Sequence, residues 1–355
     1  MKYFHLKNIS LTHNIENYNI SPGKIIKGSG VIQEANNAIT DPSKSILIAD
    51  RYIMKQYGNL ISSRQVKSVI FKGEVCPSEI YRIKKIISEN GIKEVISMGG
   101  GKAMDIAKLA KRDIGGIKLT LIPTSCATCA AYTAVSVIYN EDHSYMDTVD
   151  VPTADNLFID YEIFGRLPSG FYAAGIADTL AKYYETAAYR KYTKVQTLDD
   201  NMVFETAKSI YKRLKEIIIK KWAKLDGPLK RELTDINIIY SGIVSTMGKY
   251  SVTSSIAHAI SYAMTIIPET REFLHGEHVA MGLMIEETAV KNEKNLWEIE
   301  TFFEIIDLPK RWQSFRIKKN QLKDIFGFYI KIRDKEKIHI PIKDDLMYNI
   351  FSKLI

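Results

Sequence analysis

Between an apolar, β-branched run, Glu94–Met98, and a helical pattern over Ala103–Lys111, the chain places three consecutive glycines, Gly99-Gly100-Gly101, followed by Lys102. A strand that stops on glycine and passes straight into a helix is the junction of a βαβ unit, because glycine permits the tight turn and a close approach of backbone to ligand. The alternation recurs on both sides. Ser45–Ala49 (SILIA) is a short apolar run ending at Asp50, followed by a helical pattern through Tyr52, Ile53, Tyr57 and Leu60. Val66–Phe71 is β-rich, and Glu79–Asn90 sets Ile80, Ile83, Ile86 and Ile87 on one helical face. Ile117–Ile122 is a further strand. Strands separated by helices of this length imply a parallel sheet.

After Asn156–Asp160 the texture changes. From Phe164 onward the pattern is helical, with long runs at Thr179–Tyr189 and Asn201–Lys224, punctuated by Asp226-Gly227-Pro228, Pro268 and Leu308-Pro309. The expected architecture is an α/β domain over 1–162 and an all-α domain over 163–355, which suits a chain of 355 residues.

Several classes are excluded. The chain carries a net charge of +8, but its lysines are interleaved with acids and paired only at Lys84-Lys85, Lys220-Lys221 and Lys318-Lys319. That is a solvated surface rather than a nucleic-acid footprint. Cys76, Cys126 and Cys129 are too few for a disulfide framework and suit a reducing cytoplasm. The opening MKYFHLKNISLTHN lacks the continuous apolar core of a signal peptide. Leu119–Tyr139 carries no charge, yet its Ser and Thr residues and Pro123 fit a polar loop between two short buried strands, not a membrane span.

Four groups of residues can carry chemistry. The glycine turn, Met98 to Asp105, presents backbone N–H groups and a helix N-terminus to a phosphate or dinucleotide; the competing reading is a tight turn with Lys102 exposed and Asp105 capping the helix. It is not a P-loop, since Ile96 and Ala103 stand where that motif needs Gly and Ser/Thr. Asp50, ending its strand, is placed for an adenosine ribose, whereas Arg51 beside it would greet a 2′-phosphate, so NAD and NADP both stay open. Cys126-Ala-Thr-Cys129 has redox spacing but lies in a Ser/Thr-rich loop, which favours a structural or substrate-facing role. In the helical half, Asp178, His258 and His275 each sit in apolar surroundings. A buried carboxylate needs a cation or hydrogen bonds. Two imidazoles and a carboxylate make a site for Zn²⁺, or for Fe²⁺, with a position left for substrate; singly, each is more often a satisfied core polar group or helix cap.

Taken together, the motifs resemble the glycerol dehydrogenase branch of the iron-containing alcohol dehydrogenase family. G-G-G-K-x-x-D-x-A-K is met by Gly99–Lys108, the proline-threonine loop ending S-V-I-Y by Pro123–Tyr139, and A-G-I-G-D-x-L-A by Ala174–Ala181 with Ala177 for its second glycine. A-A-H-A-I is met by Ile256–Ile260, and H-G-E-x-V-A-x-G by His275–Gly282. The resemblance implies a dinucleotide domain packed on a helical metal domain with the active site in the cleft. It implies metal ligation by Asp178, His258 and His275. It also implies a dinucleotide lined by Asp50, Gly100, Gly101, Lys102, Asp105, Thr124, Thr133, Val135 and Tyr139. The reaction implied is hydride transfer between nicotinamide and a small alcohol or its carbonyl form, in a homo-oligomer. His278 would either relay the proton or lie on the helix surface, the latter being favoured.

Two departures bear on the substrate. Glycerol dehydrogenases carry an Asp for the polyol hydroxyls where this chain has Cys129. Lys182, one turn after Asp178, stands where many iron-type relatives have a fourth ligand, His. Both features resemble a subgroup described as hydroxycarboxylate dehydrogenases, which reduce 2-oxo acids; Cys129 and Lys182 would then face the substrate. Two further readings remain: a dehydroquinate synthase or sn-glycerol-1-phosphate dehydrogenase type, which would need more basic residues near the metal helix, and an inactive binding paralogue.

Overall fold

The structure is a computed structural model that describes residues 20–62, 66–193, 196–248, 255–338 and 340–353. The opening stretch weighed above, residues 1–14, lies outside the described residues.

The N-terminal half alternates strands and helices: β1 (Lys24–Gly28), α1 (Ile32–Asn37), β2 (Ser45–Ala49), α2 (Arg51–Ser62), β3 (Lys67–Ile70), α3 (Pro77–Glu89), β4 (Glu94–Gly99), α4 (Gly101–Ile114) and β5 (Lys118–Pro123). A hairpin, β6 (Val135–Tyr139) with β7 (Tyr145–Asp150), precedes β8 (Asn156–Asp160). The sheet runs β1-β8-β5-β4-β2-β3, and every pairing in it is parallel. β2 and β4 are buried along their whole length, as apolar strands covered by helices on both faces must be. β1 was not foreseen from the sequence. It is an edge strand that exposes Lys24 and Lys27, and it forms by pairing Lys24–Gly28 with distant Asn156–Asp160.

The C-terminal half is helical: α5 (Tyr161–Gly165), α6 (Ser169–Tyr192), α7 (Leu198–Lys220), α8 (Gly227–Asp235), α9 (Ser241–Met247), α10 (Ile256–Met264), α11 (His275–Ala289), α12 (Glu293–Ile305), α13 (Leu322–Lys335) and α14 (Asp344–Lys353). A π-turn, Ile236–Tyr240, joins α8 to α9. α6 is buried almost all round from Tyr172 to Lys182, so it is an interior helix and its apolar residues form no single stripe. One core runs from the sheet (Leu119, Leu157) into α6 (Ile176, Leu180), joining the two halves. A second core, built on α10, α11, α13 and α14, takes in Tyr145 of the hairpin, which stacks on Tyr262 at 4.2 Å.

Three glycines bring the helices close. A Cβ on Gly175 would lie 2.1 Å from the Cys126 carbonyl oxygen and 2.2 Å from Asn237 Nδ2. On Gly276 it would lie 1.8 Å from the Ala174 carbonyl oxygen, and on Gly282 2.2 Å from that of Ala257. Backbone against backbone at these points sets how α6, α10 and α11 cross and how the 124–133 loop lies on α6.

Candidate active site

These crossings bring together Asp178 from α6, His258 from α10 and His275 from the first turn of α11. One ligand atom from each lies within 4.8 Å of the others. Asp178 Oδ1 is 3.3 Å from His258 Nε2 and 3.7 Å from His275 Nε2. Ligands at about 2.0–2.1 Å from a tetrahedral zinc stand about 3.3 Å apart, so the spacing fits such an ion without rearrangement of helices. Asp178 and His258 are buried, whereas the His275 side chain is 26 % exposed, which leaves the site open on the cleft side.

In the absence of a cation the charges of these groups are balanced among themselves. Burial alone would lower the basicity of His258, but the Glu185 and Asp178 carboxylates on either side outweigh it and lift the imidazole to about 9. His275 lacks such support: burial drives it down to about 3, despite Asp178. For Asp178, burial opposes ionisation, yet Lys182 and the two imidazoles hold the carboxyl well below its ordinary range. Lys182 Nζ sits 3.0 Å from Asp178 Oδ2, so the second oxygen is taken and Oδ1 alone faces the histidines. The donor set therefore fits a divalent cation bound by two imidazole nitrogens and one carboxylate oxygen.

Two groups beside the site were not apparent in the sequence. Glu185, two turns after Asp178 on α6, places both carboxylate oxygens 2.8 Å from His258 Nδ1. Glu286 of α11 accepts from Ser255 Oγ at 3.0 Å and from Ala257 N at 2.9 Å. The one available signal was helical spacing, since positions 178, 182 and 185 share a face.

A cavity of about 410 Å³ connects this site to the glycine turn. Gly100, Gly101, Lys102, Asp105, Thr133, Val135 and Tyr139 line it on one side, and Cys129, Lys182, Ser245, Tyr262, Phe273 and Leu274 near the histidines. Gly99 has φ +157°, and a Cβ there would lie 2.7 Å from Ala103 Cβ. Gly100 precedes α4 without a capping side chain, so the first amides of α4 remain open to an anion. Lys102 crosses the cavity wall, 2.7 Å from Glu74 and over the Tyr139 ring at 4.6 Å.

The other expected residues are placed differently from one another. Asp50 and Arg51 line a separate cavity of about 760 Å³ at the ends of β2 and β3, where Asp50 Oδ1 accepts the Ile53 N–H at 2.9 Å. Thr124 is buried under the turn, donating its N–H to Gly99 O at 2.8 Å. Asp105 does not cap α4: it pairs at 3.0 Å with Lys108, whose buried ammonium also reaches Ala130 O at 2.8 Å and Thr133 O at 3.3 Å. The Asp105–Lys108 spacing in the motif thus ties α4 to the loop that forms the cleft. Cys126 and Cys129 are free thiols. Burial pushes Cys126 up to about 12, while Cys129 lines the cleft 3.7 Å from Ser245 Oγ. His278 is not on a surface, contrary to expectation. Both α6 and α10 pack on α11, so His278 is buried, bonded to Thr270 O at 3.0 Å, and outside the cavity lining.

Comparison with known proteins agrees with this fold. The family model described as iron-containing alcohol dehydrogenase matches residues 22–160. A glycerol dehydrogenase of Pseudomonas putida is 26 % identical over 307 residues, 81 % of this chain and 82 % of the relative. Hydroxycarboxylate dehydrogenase A of Escherichia coli is 26 % identical over 303 residues, again 81 % and 82 %. In structure, a probable glycerol dehydrogenase from Sinorhizobium meliloti superposes with a TM-score of 0.80 at 22 % identity, over 94 % of this chain and 98 % of that one. No described helix is long and apolar enough to cross a membrane. Over residues 22–160 the chain matches the iron-containing alcohol dehydrogenase family, and over most of its length it is similar to glycerol dehydrogenases and a hydroxycarboxylate dehydrogenase.

Proposed function

We propose that the protein is a nicotinamide-dependent, metal-assisted oxidoreductase that interconverts a small alcohol, a polyol or 2-hydroxy acid, and its carbonyl form. The observation that carries this reading is the convergence of Asp178, His258 and His275 at one end of a cleft whose other end is the glycine turn. Asp178, His258 and His275 hold a divalent cation, zinc before ferrous iron. Gly100, Gly101, Lys102, Thr133, Val135 and Tyr139 receive the dinucleotide. When bound, the cation supplies Lewis acidity at the substrate oxygen and the nicotinamide exchanges the hydride. The chain itself orients the substrate between these two sites and excludes water with Phe171, Tyr262, Phe273 and Leu274. The division at residue 162 separates dinucleotide from metal and substrate functions, and the enzyme works as a homo-oligomer.

A second reading, reduction of a 2-oxo acid, is favoured by Lys182 and Cys129. A cleft that has a thiol where a polyol enzyme has a carboxylate, and an ammonium where relatives have a histidine, attracts an anion rather than hydroxyls. Lys182 has three donors and spends two of them on Asp178, at Oδ2 and the backbone oxygen. The test is metal analysis followed by absorbance at 340 nm with NAD and NADP, on glycerol and on 2-oxobutyrate, for wild type and Lys182→Ala. Turnover lost to a chelator and restored by zinc is expected, with the KM for the oxo acid raised at least several-fold by the substitution. No turnover with any pair refutes the oxidoreductase reading. An unchanged KM for the oxo acid refutes the carboxylate reading alone.

A further inference from the structure

We infer that Glu185 is the positioning residue of the metal site: it fixes the ring orientation and tautomer of His258 and thereby sets the affinity for the cation. The inference rests on the metal reading above. Glu185 is fully buried, and its carboxylate makes a compact set of contacts. Both oxygens lie 2.8 Å from His258 Nδ1, and Oε1 also accepts the Ser255 N–H at 2.9 Å and the His258 N–H at 3.3 Å. With Nδ1–H held by a carboxylate, Nε2, the atom facing Asp178 Oδ1, is the nitrogen that gives up its proton to take a cation. A charged acceptor on the far nitrogen also makes the near one a stronger ligand. The backbone bonds fix the first turn of α10, so the same residue sets both where the ring stands and which way it faces.

Glu286 provides an internal comparison. It too is fully buried and holds the start of α10, through Ser255 Oγ and Ala257 N, but it has no bond to an imidazole, and its Oε1 has no partner among the described residues. If carboxylates here serve only to cap α10, the two glutamates are equivalent. If Glu185 acts through His258, they are not.

The experiment measures zinc affinity of the full chain by competition with a chromophoric chelator, for wild type, Glu185→Gln and Glu286→Gln, with thermal unfolding of the metal-free proteins alongside. The expected result is a 10- to 100-fold weaker zinc affinity for Glu185→Gln, and an affinity within about 3-fold of wild type for Glu286→Gln. The d–d spectrum of the cobalt-loaded protein should change in the first variant only. Equal loss of affinity in both variants, or affinity preserved in Glu185→Gln, overturns the inference. Should Glu185→Gln fail to fold, Glu185→Asp replaces it: the shorter carboxylate keeps the charge but cannot reach Nδ1 from the same backbone, and an unchanged affinity again overturns the inference. A wild type that binds no zinc overturns the metal reading instead.

Discussion

Lys182 Nζ stands 3.0 Å from Asp178 Oδ2, and the two side chains are each only 4 % exposed. One helical turn separates them on α6, so the pair is made within a single interior helix and does not depend on how other elements dock. Its chemical consequence is that Asp178 stays charged in a buried place while offering a single oxygen to the histidines.

Lys182→Met leaves that carboxylate buried without its cation. Removal of one partner from a buried pair costs about 3–5 kcal/mol. The metal-free variant is therefore expected to melt several degrees below wild type. Zinc should then raise its melting temperature more than it raises that of wild type, because the ion takes over the lost counter-charge. Differential scanning fluorimetry with and without zinc checks both statements. Identical metal-free melting temperatures would show that the pair contributes nothing.

Gly276→Ala puts a methyl group 1.8 Å from the Ala174 carbonyl oxygen, beside the candidate ligand His275. α11 must move away from α6, which costs about 3 kcal/mol or more by the usual scale of overpacking and draws His275 off Asp178. Gly170→Ala, on the same α6, meets nothing within 4 Å and should be neutral or stabilising by up to about 1 kcal/mol. Urea unfolding of both variants, with zinc binding measured in parallel, tests the contrast. Equal stabilities would refute the close helix crossing.

The pH dependence of stability has an identifiable contributor far from the cleft. Burial of Glu94 works against its charge, but bonds from the Thr40 side chain and backbone, Ser45 Oγ and Lys118 Nζ bring it down to about 2. A depressed carboxyl stabilises the fold above its unfolded value, near 4.5, and that contribution fades as pH falls from there toward 2. Wild type should lose on the order of 2–3 kcal/mol across that window through this group. Glu94→Gln should be less stable near neutrality and show a shallower acid slope. Unfolding midpoints at neutral pH, near 4 and near 3 provide the check, and parallel slopes would exclude the assignment.

Local pattern carried a great deal of this molecule. Strands such as Ser45–Ala49, the glycine turn after Glu94–Met98 and the shift to helix after Asp160 were readable because each is written in neighbouring residues: alternation, β-branching, a glycine where the backbone must turn. Asp178, His258 and His275 were readable as candidates for a related reason, since a polar group in an apolar helical stretch must have a partner. Sequence could not say which groups those partners were. Hydrophobic periodicity reports that a face is buried but not what lies against it. Thus β1 needed β8, the interior position of His278 needed the packing of α6 and α10 on α11, and the roles of Glu185 and Lys108 needed segments tens of residues away in the chain. Only the close crossings at Gly175, Gly276 and Gly282 decided that the three ligand candidates meet, and that they do so facing the glycine turn.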